Sequence, residues 1–323
     1  MGGYTGHDVH IDVPLTQVAI TYRPEGFIAD QIFPIVPVNK QSDSYLIWDI
    51  ADAYRVEDTL RAPGTEANIA EFAVSSGTYF AKNFALKRRT PYEDIENADA
   101  SDIFFSREAS AQFLKDKLYL DWEYRVARAV CSGSNVGSYS AVASAWNVAA
   151  SSKPIEDINT AINNVQDSTG RKPNRIIFGQ AAWRSFRSTD DVLNRLFGSA
   201  GTGPNGRLVM PEMIAKLFEV DQILIGGAYY NTKDEGQTAT LSGIWSDNVL
   251  VYYAPMTPRK DVPSLGYSFR WNKVRGMDMT AEVFQKESAK AEEVQLGYYQ
   301  DEKITASALG FLITAVNSSG SGI

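Results

Sequence analysis

Apolar residues recur every fourth position through the middle of the chain. Phe105, Ala109 and Phe113 form one row, and Leu114, Leu118, Trp122, Val126 and Val130 form a second beside it. Adjacent rows at that spacing predict one amphipathic helix over residues 101–131. Ser101 or Asp102 stands ready as N-cap, and neither Gly nor Pro interrupts before Gly133. At 1.5 Å per residue such a helix is roughly 40 Å long, well above the usual length. A Gly/Ser-rich connector ends it. Residues 154–254 then read as a compact α/β unit. A helix over 153–170 stops at Gly170, and a short apolar strand follows at 175–179. Helices at 181–187 and 190–197 come next, then a proline-started helix at 211–220 and strands at 222–231 and 248–255. From Gly266 the pattern alternates. Phe269 and Trp271 share one face, strands are expected around Val283 and 293–296, and 307–316 is a last apolar strand. The mixture is α+β, with no internal repeat.

The first 92 residues behave differently. Residues 1–38 carry Pro14, Pro24, Pro34 and Pro37 with little helical periodicity, and read as an extended arm. Its end, FIADQIFPIVPVNKQSDSYLIWD (27–49), is too proline-rich for a helix or a central strand, because proline has no N–H for a ladder. Ile32, Phe33, Ile35 and Val36 are nevertheless too apolar for a solvated loop. Residues 39–92 read as a long β-excursion, with strands at 44–50 and 71–89. A polar, turn-rich stretch around Pro63-Gly64 separates them. An interval of that length without a core face points to a segment that works against a partner.

Composition narrows the class. At 323 residues the chain makes one large domain or two modest ones. Hydrophobic residues at 44% and charged residues at 22% are ordinary for a globular fold. A net charge of −8 argues against a phosphate-neutralising nucleic-acid surface. No apolar run approaches the roughly 20 residues of a membrane span, and MGGYTGHDVHIDV lacks the basic and apolar regions of a signal peptide. Cys131 is the only cysteine; near Val126 and Val130 it reads as a buried, inert thiol.

Catalytic chemistry is sparse. His7 and His10 are the only histidines. With Asp8 and Asp12 they sketch a metal cluster, but no third His or Cys completes a tetrahedral site. The same scarcity argues against Ser-His-Asp or Cys-His catalysis. GTGPNG (201–206) matches GxGxxG formally, yet it follows a helix rather than a strand. Asp190 and Asp191 suit the start of a helix, Asp190 as its cap, and Glu292 and Glu293 a solvated strand face. KRR (87–89), followed by acidic YEDIENADASD, suits ion pairs between subunits. No cofactor is expected, nor any enzymatic role.

The order of these parts resembles the major capsid proteins of tailed bacteriophages, with the Hong Kong 97-type fold. The likeness is carried by GFIADQIFPIVPVNKQSDSYLIWD, by GRKPNRIIFGQAAWRSFRSTDDVLNRL (170–196), and by IGGAYYNTKDEGQTATLSGIWSDNVLVYYAP (225–255). GYSFRW (266–271) and LGYYQDEKITASALGFLI (296–313) add to it, so nearly the whole chain is covered. The resemblance implies a capsid fold in six stretches. These are an N-terminal arm (1–38), an E-loop β-hairpin (39–92), and the spine helix with the first part of a peripheral domain (93–150). An axial domain (151–255), return strands of the peripheral domain (256–305), and a final axial strand with a flexible tail (306–323) follow. It implies self-assembly of hexamers and pentamers into an icosahedral shell around double-stranded DNA that is enclosed without specific binding. The implied setting is a virion assembled in the bacterial cytoplasm, without membrane. Implied partners are a portal and a decoration protein. No coiled-coil segment precedes the arm, so either a separate scaffolding protein assists or the chain is a mature form. The arm and E-loop would strap neighbouring subunits, making Ile32, Phe33, Ile35, Val36, Tyr45, Trp48, Arg61, Lys87, Arg88 and Arg89 the expected inter-subunit contacts. Two alternatives stay open: an encapsulin-type compartment, and a nucleotide-binding α/β enzyme using GTGPNG.

Overall fold

The computed structural model describes residues 10–11, 13–22, 26–48, 54–61, 63–69, 74–97, 106–148, 152–198, 208–272 and 279–318. Its helices are α1 (Val13–Thr21), α2 (Ala29–Ile32), α3 (Tyr92–Asn97), α4 (Arg107–Val130), α5 (Pro154–Thr169), α6 (Gln180–Ser188), α7 (Asp190–Phe197) and α8 (Pro211–Phe218). Strands β1 (His10–Ile11), β2 (Ile35–Val38), β3 (Ser42–Trp48), β4 (Val74–Phe80), β5 (Lys82–Pro91), β6 (Ser138–Ala141), β7 (Arg175–Gly179) and β8 (Gln222–Gly226) cover the first part. Strands β9 (Tyr229–Asn231), β10 (Leu241–Gly243), β11 (Val249–Tyr252), β12 (Gly266–Trp271), β13 (Thr280–Lys286), β14 (Ala291–Ile304) and β15 (Gly310–Thr314) complete it.

Two sheets organise the molecule. One runs β6-β15-β11-β7-β8. Alternation along its strands gives it two apolar faces. Ile176, Phe178, Val249, Val251, Phe311 and Ile313 face helices α5 to α8. Ile177, Leu224, Leu250, Tyr252 and Leu312 face the C-terminal half of α4 and the arm. The other sheet is built around the 14-residue β14, which pairs with β13, β12 and β5, while β2 joins at the edge of β12. The N-terminal half of α4 covers this second sheet through Ala111, Leu114 and Leu118, together with Leu15 and Ala19 of α1.

The expected helical row of Leu114, Leu118, Trp122, Val126 and Val130 is buried throughout. Its length follows from its task, since one stripe must reach across two sheets. The start differs from expectation. Ser106, not Ser101 or Asp102, is the N-cap, its side chain accepting from the Ala109 N–H at 3.0 Å. Residues 101–105 lie outside the described set. Likewise Thr189 caps α7, with Asp190 as its first helical residue.

The arm needs more correction. Residues 13–21 form a helix where little periodicity was legible, and one helical turn at 29–32 precedes Pro34. The prolines do exclude a central strand. β2 contains Pro37 but lies at the sheet edge, parallel to β12, where a missing N–H can face outward. The apolar side chains just before and within β2 largely fill the chain's own core. Ile32 and Phe33 are fully buried, and Val36 is 4% exposed.

Candidate functional site

The described contacts gather at the meeting of the arm, α4 and the two sheets. Along α4, Lys115, Tyr119, Glu123 and Ala127 form an i, i+4 row beside the apolar one, and that row turns toward the arm. Glu123 is fully buried. Its Oε2 accepts from the backbone N–H groups of Ile28 (3.0 Å) and Ala29 (2.7 Å), at the start of α2. Its Oε1 accepts from the Trp245 indole at 2.5 Å. Two turns earlier, Lys115 is 2% exposed, and its ammonium donates to the carbonyls of Ala19, Ile20 and Tyr22 where α1 ends. An anion therefore meets the N–H groups of one helical turn, and a cation meets the carbonyls that end another helix. That is the pairing backbone dipoles favour. Burial nonetheless outweighs the three donors and lifts the Glu123 carboxyl to about 7.

Beyond the arm, β3 and β4 pair as an antiparallel hairpin, from Ser42 opposite Phe80 to Trp48 opposite Val74. At its root Tyr45 stacks on Phe269 with ring centroids 5.2 Å apart, and Tyr79 stacks on the same ring at 4.6 Å. At the far end, residues 54–61 and 63–69 have neither helix nor strand, and every one of them is exposed. Val56, Leu60 and Ile69 are 96%, 86% and 84% exposed.

Among the described residues no group of His, Cys, Asp and Glu could hold a metal, and no helix is long and apolar enough to cross a membrane. His7, Asp8, Asp12 and GTGPNG (201–206) lie outside the described residues. Burial pushes the Cys131 thiol up to about 12, an inert state at neutral pH.

No family model matches the sequence. Relatives exist nevertheless. The major capsid protein of Pseudomonas phage JBD67 is 26% identical over 93% of this chain and 95% of its own length. The major capsid protein of Burkholderia phage BcepMu is 24% identical, over 95% and 97% respectively. A solved phage-related protein from Bordetella bronchiseptica RB50 shares the fold at a TM-score of 0.73 and 20% identity, covering 95% of this chain and 98% of that one. Along nearly its whole length the chain is similar to phage major capsid proteins. Its fold is the Hong Kong 97-type fold that solved phage capsids also show.

Within this chain, several of the expected inter-subunit contacts are spent inside the subunit. Ile32, Phe33 and Val36 are core residues, Tyr45 is 7% exposed under the hairpin, and Ile35 is half-buried. Of Trp48 only the strand backbone is described. Arg61 is exposed and donates to the Thr65 carbonyl at 2.6 Å within its own loop. The basic triplet is also engaged at home. Arg89 pairs with Glu293 at 2.6 Å, Lys87 reaches the same carboxylate at 3.7 Å, and Arg88 lies over the Phe113 ring. Glu292 is held by Arg107 at 2.6 Å. The two glutamates are thus not on a solvated face: the β5–β14 register sets Glu293 opposite Arg89, and the Arg89 guanidinium holds the Glu293 carboxyl below its usual range. Arg89 is 53% exposed, so Arg89→Ala should lower subunit stability by no more than about 1 kcal/mol in urea denaturation.

Proposed function

We propose that copies of this chain assemble, as hexamers and pentamers, into the icosahedral head of a tailed phage. The shell would enclose double-stranded DNA without binding it specifically. The observation that carries the reading is the exposed apolar end of the β3–β4 excursion. Val56, Leu60 and Ile69 have no core of their own to enter, and each would contribute about 1.5–3 kcal/mol if a neighbouring copy covered it. Elsewhere on the body Met256, Leu241 and Leu208 are exposed as well, but less so than these three. The relatives are structural proteins, which fits a chain without catalytic function, and the net charge of −8 suits a wall facing packaged DNA. A scaffolding protein, a portal and a decoration protein complete the proposed partners. Assembly is placed in the host cytoplasm and the final location in the virion. The relatives' names favour this over an encapsulin-type compartment.

Electron microscopy of the purified full chain tests the proposal. Uniform hollow shells are expected, and a small oligomer of fixed size would overturn it. Replacing Val56, Leu60 and Ile69 together with Asp should leave the subunit fold and melting temperature nearly unchanged. Shell yield should drop at least tenfold by light scattering. Undiminished shells would remove the exposed loop from the assembly mechanism.

A further inference from the structure

Arg270 is the least explained charge in the protein. It lies on β12, is 4% exposed, and its guanidinium sits 5.2 Å from the Trp122 ring and 4.9 Å from the Tyr298 ring. Its Nε and Nη2 donate to one neutral acceptor, Oε1 of Gln300. The Gln300 amide in turn donates to Glu302 at 2.8 Å, but Arg125 already neutralises that carboxylate at the same distance. Among the described residues Arg270 therefore hydrogen-bonds toward a negative charge only through an amide, and none accepts from its Nη1. A cation so deeply placed, with a neutral amide as its direct acceptor, gains from an anion brought to its remaining edge.

Beside it lies a cavity of about 320 Å³. Arg270, Trp122, Tyr119 and Met279 form part of its wall, the arm covers it through Phe27 and Ile35, and Lys115 adds a second buried positive charge. The exposed Asp30 contributes the opposing charge. We propose that this cavity binds a small carboxylate with a flat apolar body. A planar monoanion matches the single free guanidinium edge, whereas a phosphate dianion needs more donors than the wall offers. The aromatic and Met walls suit the apolar part. Because arm and helix both line the cavity, an occupant holds the arm against α4. The site stands on the subunit alone and does not depend on shell formation.

Benzoate is the probe, with benzamide as its neutral counterpart, titrated against unassembled full-length chain by ligand-observed NMR. Benzoate should bind at least tenfold more tightly than benzamide and raise the melting temperature. Asp30→Asn should tighten benzoate binding severalfold, and Arg270→Gln should weaken it at least tenfold. Met279→Trp fills the cavity while keeping the guanidinium, so it serves even if the Arg270 variant fails to fold; it should abolish binding. No benzoate binding to the native chain, equal affinity for both probes, or unchanged binding in Met279→Trp would each overturn the proposal.

Discussion

Replacing Glu123 with Ala is expected to cost the unassembled subunit about 3–5 kcal/mol in urea denaturation at neutral pH. The change strands two arm N–H groups and the Trp245 indole in a dry interior, and each such group carries a desolvation penalty. The arm should loosen first, seen as faster hydrogen exchange at Ile28 and Ala29. The same residue predicts a pH dependence. Burial, reinforced by the nearby Asp30 carboxylate, holds the carboxyl at about 7 against an ordinary 4.5. The folded state therefore keeps a proton that the unfolded chain releases. This contribution is fully present below about pH 4.5, fades as pH rises, and is gone above about pH 7, a change on the order of 3 kcal/mol. Glu123→Gln should flatten the profile across that window. A wild-type stability independent of pH there, or a loss under 1 kcal/mol in Glu123→Ala, would show that the clamp matters little.

Phe33→Ala should be comparably severe, at about 3–5 kcal/mol. The ring is fully buried, and it occupies space that only a glycine on the neighbouring strand leaves open. A Cβ placed at Gly266 would lie 2.3 Å from the Phe33 ring. Gly266→Ala should consequently cost about 1–3 kcal/mol by displacing the same ring. The double variant should cost clearly less than the sum, because once the ring is gone the added methyl has room. Strict additivity would contradict the interlock. Both variants should impair shell formation only as far as they destabilise the subunit. Failure to assemble despite near-native stability would instead return Phe33 to the interface.

The two predictions also mark where the sequence was and was not readable. The apolar row of α4 could be read because a periodicity of four needs no knowledge of the partner. Glu123 and Lys115 sit one position further round, where nothing in the local pattern marks a charge as buried. Their partners are backbone groups some 95 residues upstream, which no local pattern displays. Glu292 and Glu293 failed for a related reason, since strand register across the chain decides whether a carboxylate meets water or arginine. The arm was half legible. Proline excluded a central strand, but the edge of β12 that receives β2 is formed by residues far along the chain. Chain order and texture carried the fold, while the division between intrachain and interchain burial depended on tertiary pairing.

One consequence of the five-stranded sheet concerns synthesis. β15 lies between β6 and β11, pairing parallel with the first and antiparallel with the second. Strand β6 ends at Ala141, whereas β15 begins at Gly310. At bacterial translation speeds β6 therefore waits roughly 10–30 s for its neighbour to emerge from the ribosome. A nascent chain that stops short of β15 has an open edge at β11 and an unseated β6. Chains left incomplete by stalled ribosomes are thereby barred from becoming finished building blocks, and topology acts as a proofreading step before any lattice can grow.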